Sequence, residues 1–190
     1  MNLSAVILAG GQSTRMGRDK AWVELAGRPL IARALSTLRT SGIEEIYISG
    51  RAAADYSALR CPVLLDRESG SGPLAGIERA LDTTAAPLVL VLAVDLPHMT
   101  AAFFRKLAGR CGPLAGVVPE LNGELEPLAA IYPKRCHSIA LGCMLKRRLA
   151  AGDFAGACLR ERAVRAFPVV PGDAACFKNW NTPADVAAKS

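Results

Sequence analysis

Leu3-Ser4-Ala5-Val6-Ile7-Leu8-Ala9-Gly10-Gly11-Gln12-Ser13-Thr14-Arg15-Met16-Gly17-Arg18-Asp19-Lys20 joins a short apolar run to a glycine-rich segment ending in cations. The run Leu3 to Ala9 reads as a buried strand. From Gly10 to Gly17 small residues let backbone N–H groups approach phosphate oxygens, while Arg15, Arg18 and Lys20 bring charge to neutralise a polyphosphate. The spacing is neither G-x-G-x-x-G nor G-x-x-x-x-G-K-[ST], so the dinucleotide and P-loop fingerprints are excluded.

Outward from this stretch, short apolar runs alternate with helical patterns, which is how successive βαβ units are written. Pro29 to Leu38 puts Leu30, Ile31, Ala34, Leu35 and Leu38 on one helical face, with a hairpin around Ala26-Gly27 before it. Strands are predicted at Ile43 to Ser49, Val63 to Asp66 and Leu88 to Val94, with a helix at Leu74 to Leu81. Leu88 to Val94 is apolar throughout, suits a central parallel strand buried on both faces, and stops at Asp95. Beyond it come a helix at Thr100 to Ala108, strands from Leu114 to Pro133 around the turn Asn122-Gly123, a helix at Ile139 to Leu149, a strand at Val164 to Val170, and a helix at Thr182 to Lys189. The fold class expected is α/β: a three-layer α/β/α sandwich with a Rossmann-like, mostly parallel sheet. Ligands of such sheets sit beyond the carboxyl ends of the strands, where Gly10, Asp66 and Asp95 all fall.

A length of 190 residues is that of one compact domain, and residues 1–190 are read as one unit. Lys and Arg number 23 against 17 acids, a net charge of +6 that favours an anionic ligand. Nucleic acid is not expected, because no basic run carries interleaved aromatics and Lys146-Arg147-Arg148 reads as one exposed helix turn. The six cysteines form no C-x-x-C pair and have no histidine at ligand spacing, so they read as small apolar residues. No signal-peptide pattern and no apolar run of membrane-spanning length is seen, so a cytoplasmic protein with reduced thiols is expected. His98 and His137 show no partner for acid–base chemistry and are given no role, and Trp22 reads as hairpin packing.

Leu8-Ala9-Gly10-Gly11-x-Ser13-x-Arg15-Met16-Gly17-x-Asp19-Lys20 resembles the signature loop of the molybdenum cofactor guanylyltransferases, within the nucleotidyltransferase superfamily. Further matches follow in order along the chain: Asp66, Gly72-Pro73-Leu74-Ala75-Gly76, Asp95-x-Pro97, Glu126-Pro127-Leu128 and Asn179-x-Asn181-Thr182-Pro183. The resemblance implies the nucleotide-diphospho-sugar transferase type of α/β sandwich. It also implies transfer of GMP from GTP to molybdopterin with release of pyrophosphate.

On this resemblance Arg15 and Lys20 hold the triphosphate and Asp95 binds Mg²⁺, the three forming the catalytic set. Nucleotide contacts fall to Leu8, Ala9, Gly10, Gly11, Ser13, Ser49, Asp66 and Asp95 besides the two cations. Relatives often carry Asn where Ser49 stands, and Asp66, as an Asp after a strand, also suits a turn. Gly72, Pro73, Leu74, Glu126, Pro127, Asn179 and Asn181 are implied on the acceptor side, although Pro73 also suits a helix start and the asparagines a helix cap. GTP and molybdopterin are the implied ligands, with handover from an upstream enzyme and to an acceptor molybdoenzyme or its chaperone, and a monomer is expected. The alternatives are CTP on the same pterin, a sugar-phosphate or phospholactate acceptor, or a regulator that binds nucleotide without turnover.

Overall fold

Alternation of side chains along the central strands sets the layers. The computed structural model describes residues 2–10, 19–52, 54–65 and 72–180. Strand β1 (Leu3–Leu8) sends Ala5 and Ile7 to one face and Val6 and Leu8 to the other. Strand β6 (Leu88–Ala93) does the same with Leu90 and Leu92 against Val89 and Val91, and is buried along its length. A strand covered by helices on both faces has no solvent side, which is why its sequence is apolar without interruption.

The helices are α1 (Leu30–Thr40), α2 (Gly72–Thr83), α3 (Ala101–Ala108), α4 (Cys136–Leu145) and α5 (Ala151–Arg160). Leu30, Leu35 and Leu38 of α1 and Phe103, Phe104 and Leu107 of α3 fill one core layer. Leu74 and Ile77 of α2, Cys136 and Ile139 of α4, and Phe154 and Cys158 of α5 fill the other. Between them lies a sheet of strand order β10-β7-β9-β6-β1-β4-β5, with β4 (Ile46–Gly50), β5 (Val63–Leu65), β7 (Gly116–Leu121), β9 (Ala129–Pro133) and β10 (Val164–Pro168). Strands β6, β1, β4 and β5 pair in parallel and β10 pairs in parallel with β7, whereas β9 is antiparallel to both β6 and β7. The short β8 (Glu124–Leu125) folds back on β7. The three-layer, mostly parallel sandwich is therefore the one expected.

Both predicted turns form for the same backbone reason. Ala26 and Gly27 have φ of 50° and 71° and join β2 (Glu24–Leu25) to β3 (Arg28–Pro29), and Asn122 and Gly123 have φ of 53° and 84° between β7 and β8. Two successive positive φ values match the right-handed twist of the flanking strands.

Three expectations are corrected. The strand predicted from Ile43 begins at Ile46, because Gly42 at φ 92° and Ile43 close the end of α1: the Ile43 N–H donates to the Leu38 carbonyl at 3.3 Å and the side chain is buried. The helix expected through Leu149 stops at Leu145, so Lys146-Arg147-Arg148 is not a helical turn. Arg147 adopts φ 56°, its N–H donates to the Met144 carbonyl and that of Arg148 to the Cys143 carbonyl, both at 2.9 Å, the paired bonds of a left-handed helix end. Helix α5 was not anticipated, although Ala151, Phe154, Ala155 and Cys158 are buried at helical spacing; its glycines at 152 and 156 dilute the helical signal. The expected helix Thr182–Lys189 lies outside the described residues.

Candidate active site

Strand register brings the site together. Leu8 lies opposite Ser49 on one side and Ala93 on the other. The ladder runs one step further, with the Ala9 N–H donating to the Ser49 carbonyl at 2.8 Å and the Val94 N–H to the Leu8 carbonyl at 3.2 Å. Gly10, Arg51 and Asp95 consequently follow their strands at one carboxyl edge.

Asp95 lies one residue beyond β6, after Val94, and its carboxylate is partly open, at 29% side-chain exposure. The Lys20 ammonium donates to its Oδ2 at 3.1 Å across a sequence separation of 75 residues. The cap of α3 is Thr100, whose hydroxyl accepts from the Phe103 N–H at 3.1 Å, so Asp95 does not serve that helix.

Lys20 opens a turn of 3₁₀ helix, Lys20–Trp22, that is held at both ends. Asp19 caps it: one carboxylate oxygen accepts from the Ala21 N–H at 3.1 Å, and the other pairs with the Arg51 guanidinium at 3.0 Å. Ala21 is wholly buried, and Trp22 stacks on Tyr56 with ring centroids 6.2 Å apart. Trp22 thus packs on Tyr56, where hairpin packing was expected. Burial, followed by the nearby Asp19 charge, pushes the Tyr56 hydroxyl pKa up. Arg51 and Tyr56 were not singled out from sequence; the one signal available was the position of Arg51 immediately after β4.

Helix α2 sits on the ends of β1 and β4 through Gly76. A Cβ there would lie 2.3 Å from the Ser49 hydroxyl and 2.9 Å from the Leu8 side chain. Gly72 opens the helix at φ +62°, followed by Pro73. The Leu74 side chain is fully buried in the core, so any contact it makes with a ligand runs through its backbone. At Gly10 the demand is weaker: an added Cβ would meet backbone atoms of Ser49 and Gly50 at 3.8–3.9 Å, ordinary contact distances.

The loop before β9 joins the same edge, because the Ala93 N–H donates to the Leu128 carbonyl at 2.8 Å. Glu126 is anchored by its own N–H on the Pro119 carbonyl at 2.8 Å, and the Pro127 carbonyl accepts from the Tyr132 hydroxyl at 3.0 Å. Burial and then Glu124 push the Glu126 carboxyl pKa up. From the other direction the Trp180 N–H donates to the Asp95 carbonyl at 3.1 Å and the Trp180 ring meets His98 edge-on, which puts exposed Asn179 beside the Asp95 loop. Gly11, Ser13, Arg15, Asp66 and Asn181 lie outside the described residues.

His137, for which no partner was expected, has one. Its Nε2 lies 2.9 Å from Oε1 of the buried Glu78, linking α4 to α2. The two residues are 59 apart in sequence, so only the packing of these helices pairs them. Four of the six cysteines are buried and the other two half-buried, as small packing residues. Among the described residues no helix is long and apolar enough to cross a membrane.

The family described as MobA-like NTP transferase domain matches residues 5–157. A protein of Opitutus terrae named probable molybdenum cofactor guanylyltransferase is 38% identical over 191 residues, covering 96% of this chain and 92% of the relative. The molybdenum cofactor guanylyltransferase of Shewanella amazonensis is 34% identical, covering 98% and 94%. The crystal structure of molybdopterin-guanine dinucleotide biosynthesis protein A from Archaeoglobus fulgidus shares the fold at a TM-score of 0.76 and 23% identity, covering 97% of this chain and 95% of that one.

Proposed function

This chain belongs to the MobA-like NTP transferase family, and on that premise we propose that it is a molybdenum cofactor guanylyltransferase, transferring GMP from GTP to molybdopterin. The acceptor's terminal phosphate oxygen bonds to the α-phosphorus, the bond from that phosphorus to the bridging oxygen breaks, and pyrophosphate leaves. The product is the guanine dinucleotide form of the cofactor. The observation that carries this reading is the Lys20–Asp95 pair at 3.1 Å on the carboxyl edge, beside the end of β1 that feeds the glycine-rich loop.

An anionic nucleophile attacking an anionic phosphorus needs charge neutralisation and alignment more than a protein nucleophile. Lys20 and Arg15 hold the triphosphate and stabilise the departing pyrophosphate. The backbone of Leu8 to Gly11, with Ser13, Ser49 and Asp66, contacts the nucleotide. Gly72, Pro73, Leu74, Glu126, Pro127, Asn179 and Asn181 serve the acceptor side.

Asp95 fits a divalent metal, since a partly open carboxylate at a phosphate-binding edge offers the hard oxygen that Mg²⁺ prefers. Bound there, Mg²⁺ supplies Lewis-acid charge neutralisation at phosphate oxygens. Residues 1–190 act as one catalytic domain, and the protein works as a cytoplasmic monomer that receives molybdopterin from an upstream enzyme and passes its product to an acceptor molybdoenzyme or chaperone.

The test is to incubate the purified protein with Mg²⁺, GTP and molybdopterin and to identify the product by mass spectrometry. Formation of the guanine dinucleotide with pyrophosphate is expected. A cytosine dinucleotide formed preferentially from CTP would overturn the guanylyl assignment, and GTP binding without any product would overturn the enzymatic one.

A further inference from the structure

Lys20 owes its position to a turn that contributes little holding power of its own. Lys20–Trp22 is one turn of 3₁₀ helix, and a short 3₁₀ segment with poor hydrogen-bond geometry needs external support. The support comes from the segment after β4. Arg51 pairs with Asp19, whose other oxygen caps the turn, and Tyr56 carries Trp22 at its far end. Gly50, the last residue of β4, admits this packing because a Cβ there would lie 2.4 Å from the Tyr56 ring. The chain therefore ties the Lys20 turn to the end of the neighbouring strand.

We infer that Arg51 is a positioning residue for the transfer reaction: through Asp19 it fixes the turn that aims the Lys20 ammonium at the carboxyl edge beside Asp95. This rests on the reading of Lys20 as the cation that holds the triphosphate. Geometry favours such a role over simple stabilisation. The Arg51 side chain is 39% exposed against 17% for Asp19, and an ion pair with one partner so open to water adds little to folding. Its orienting effect does not depend on that stability, because displacing a reacting or binding group by about 1 Å lowers rate on the order of a hundredfold.

The test is a double-mutant cycle on kcat with saturating Mg²⁺, GTP and molybdopterin, accompanied by thermal unfolding. Arg51→Ala is expected to lower kcat by about tenfold while Tm falls by no more than roughly 4 °C. Arg51→Lys recovers part of the loss, since it restores one charged contact. Asp19→Asn, which retains an oxygen to cap the turn and loses the charge, matches Arg51→Ala and adds nothing to it. In a Lys20→Ala background Arg51→Ala has no further effect, because there is no ammonium left to aim. If Lys20→Ala is crippled and the two losses multiply, this inference is overturned while the triphosphate reading stands. Wild-type kinetics in Lys20→Ala would overturn both.

Discussion

Lys20 and Asp95 pair at 3.1 Å with opposite charges at the carboxyl edge of the sheet, and the proposed function gives each a separate task. Lys20→Ala should lower kcat/KM at least tenfold, a loss of about 1.4 kcal/mol of transition-state stabilisation, in steady-state assays of pyrophosphate release. Asp95→Asn retains the shape and loses the charge that attracts a hard cation, so Mg²⁺ titration of activity should collapse while the far-ultraviolet circular dichroism stays that of the wild type. Gly10 poses a question of specificity. The fold does not require glycine there, because a methyl group would meet only ordinary contacts at 3.8–3.9 Å. Gly10→Ala should therefore unfold at the wild-type temperature and still show a reduced preference for GTP over CTP, read from the ratio of the two kcat/KM values. One methyl group accounts for about 1–3 kcal/mol of such a preference, so other loop contacts must supply the remainder.

At the level of elements, the seating of α2 on the strand ends depends on the missing side chain of Gly76. A methyl group at 2.3 Å from the Ser49 hydroxyl and 2.9 Å from the Leu8 side chain forces the helix outward or rotates Ser49 away. Gly76→Ala should cost about 1–3 kcal/mol in denaturant unfolding and raise the KM for nucleotide, because the displaced atoms lie at the strand ends beside Gly10. An unchanged midpoint would show that α2 yields freely. The helix ends follow local rules readable from sequence only in part. Gly42 marks the end of α1 as glycine commonly does, whereas Arg147 and Arg162 occupy the same left-handed position at φ 56° and 52° after α4 and α5. Arginine carries no such signal, which is why the basic cluster read as continuing helix. Helix α5 was hidden for a related reason: two glycines lower its intrinsic helicity, and the burial of Phe154 against Tyr132, at 4.9 Å between rings, restores what propensity lacks.

Across the whole molecule, β1, β4 and β6 converge on one edge, so a ligand bound there links separate parts of the sheet and stabilises the native state alone. Mg²⁺ with GTP at a hundred times its dissociation constant should add about 2.7 kcal/mol, raising Tm by roughly 5–10 °C, with the metal-dependent part removed by chelator and absent in Asp95→Asn. No shift with GTP at any Mg²⁺ concentration would place the nucleotide elsewhere. By itself the sequence determined the α/β class, the central apolar strands, the hairpin turns at Ala26-Gly27 and Asn122-Gly123, and the location of Gly10 and Asp95 at strand ends. These depend on periodicity and turn chemistry, which act over a few neighbouring residues. Only the tertiary structure decided which side chains meet: Lys20 with Asp95, Asp19 with Arg51, Gly76 over Ser49, and His137 with Glu78. Partners so far apart in the chain are selected by strand order and helix packing, and no local pattern encodes either, because each arises from the free energy of burying both faces of one sheet at once.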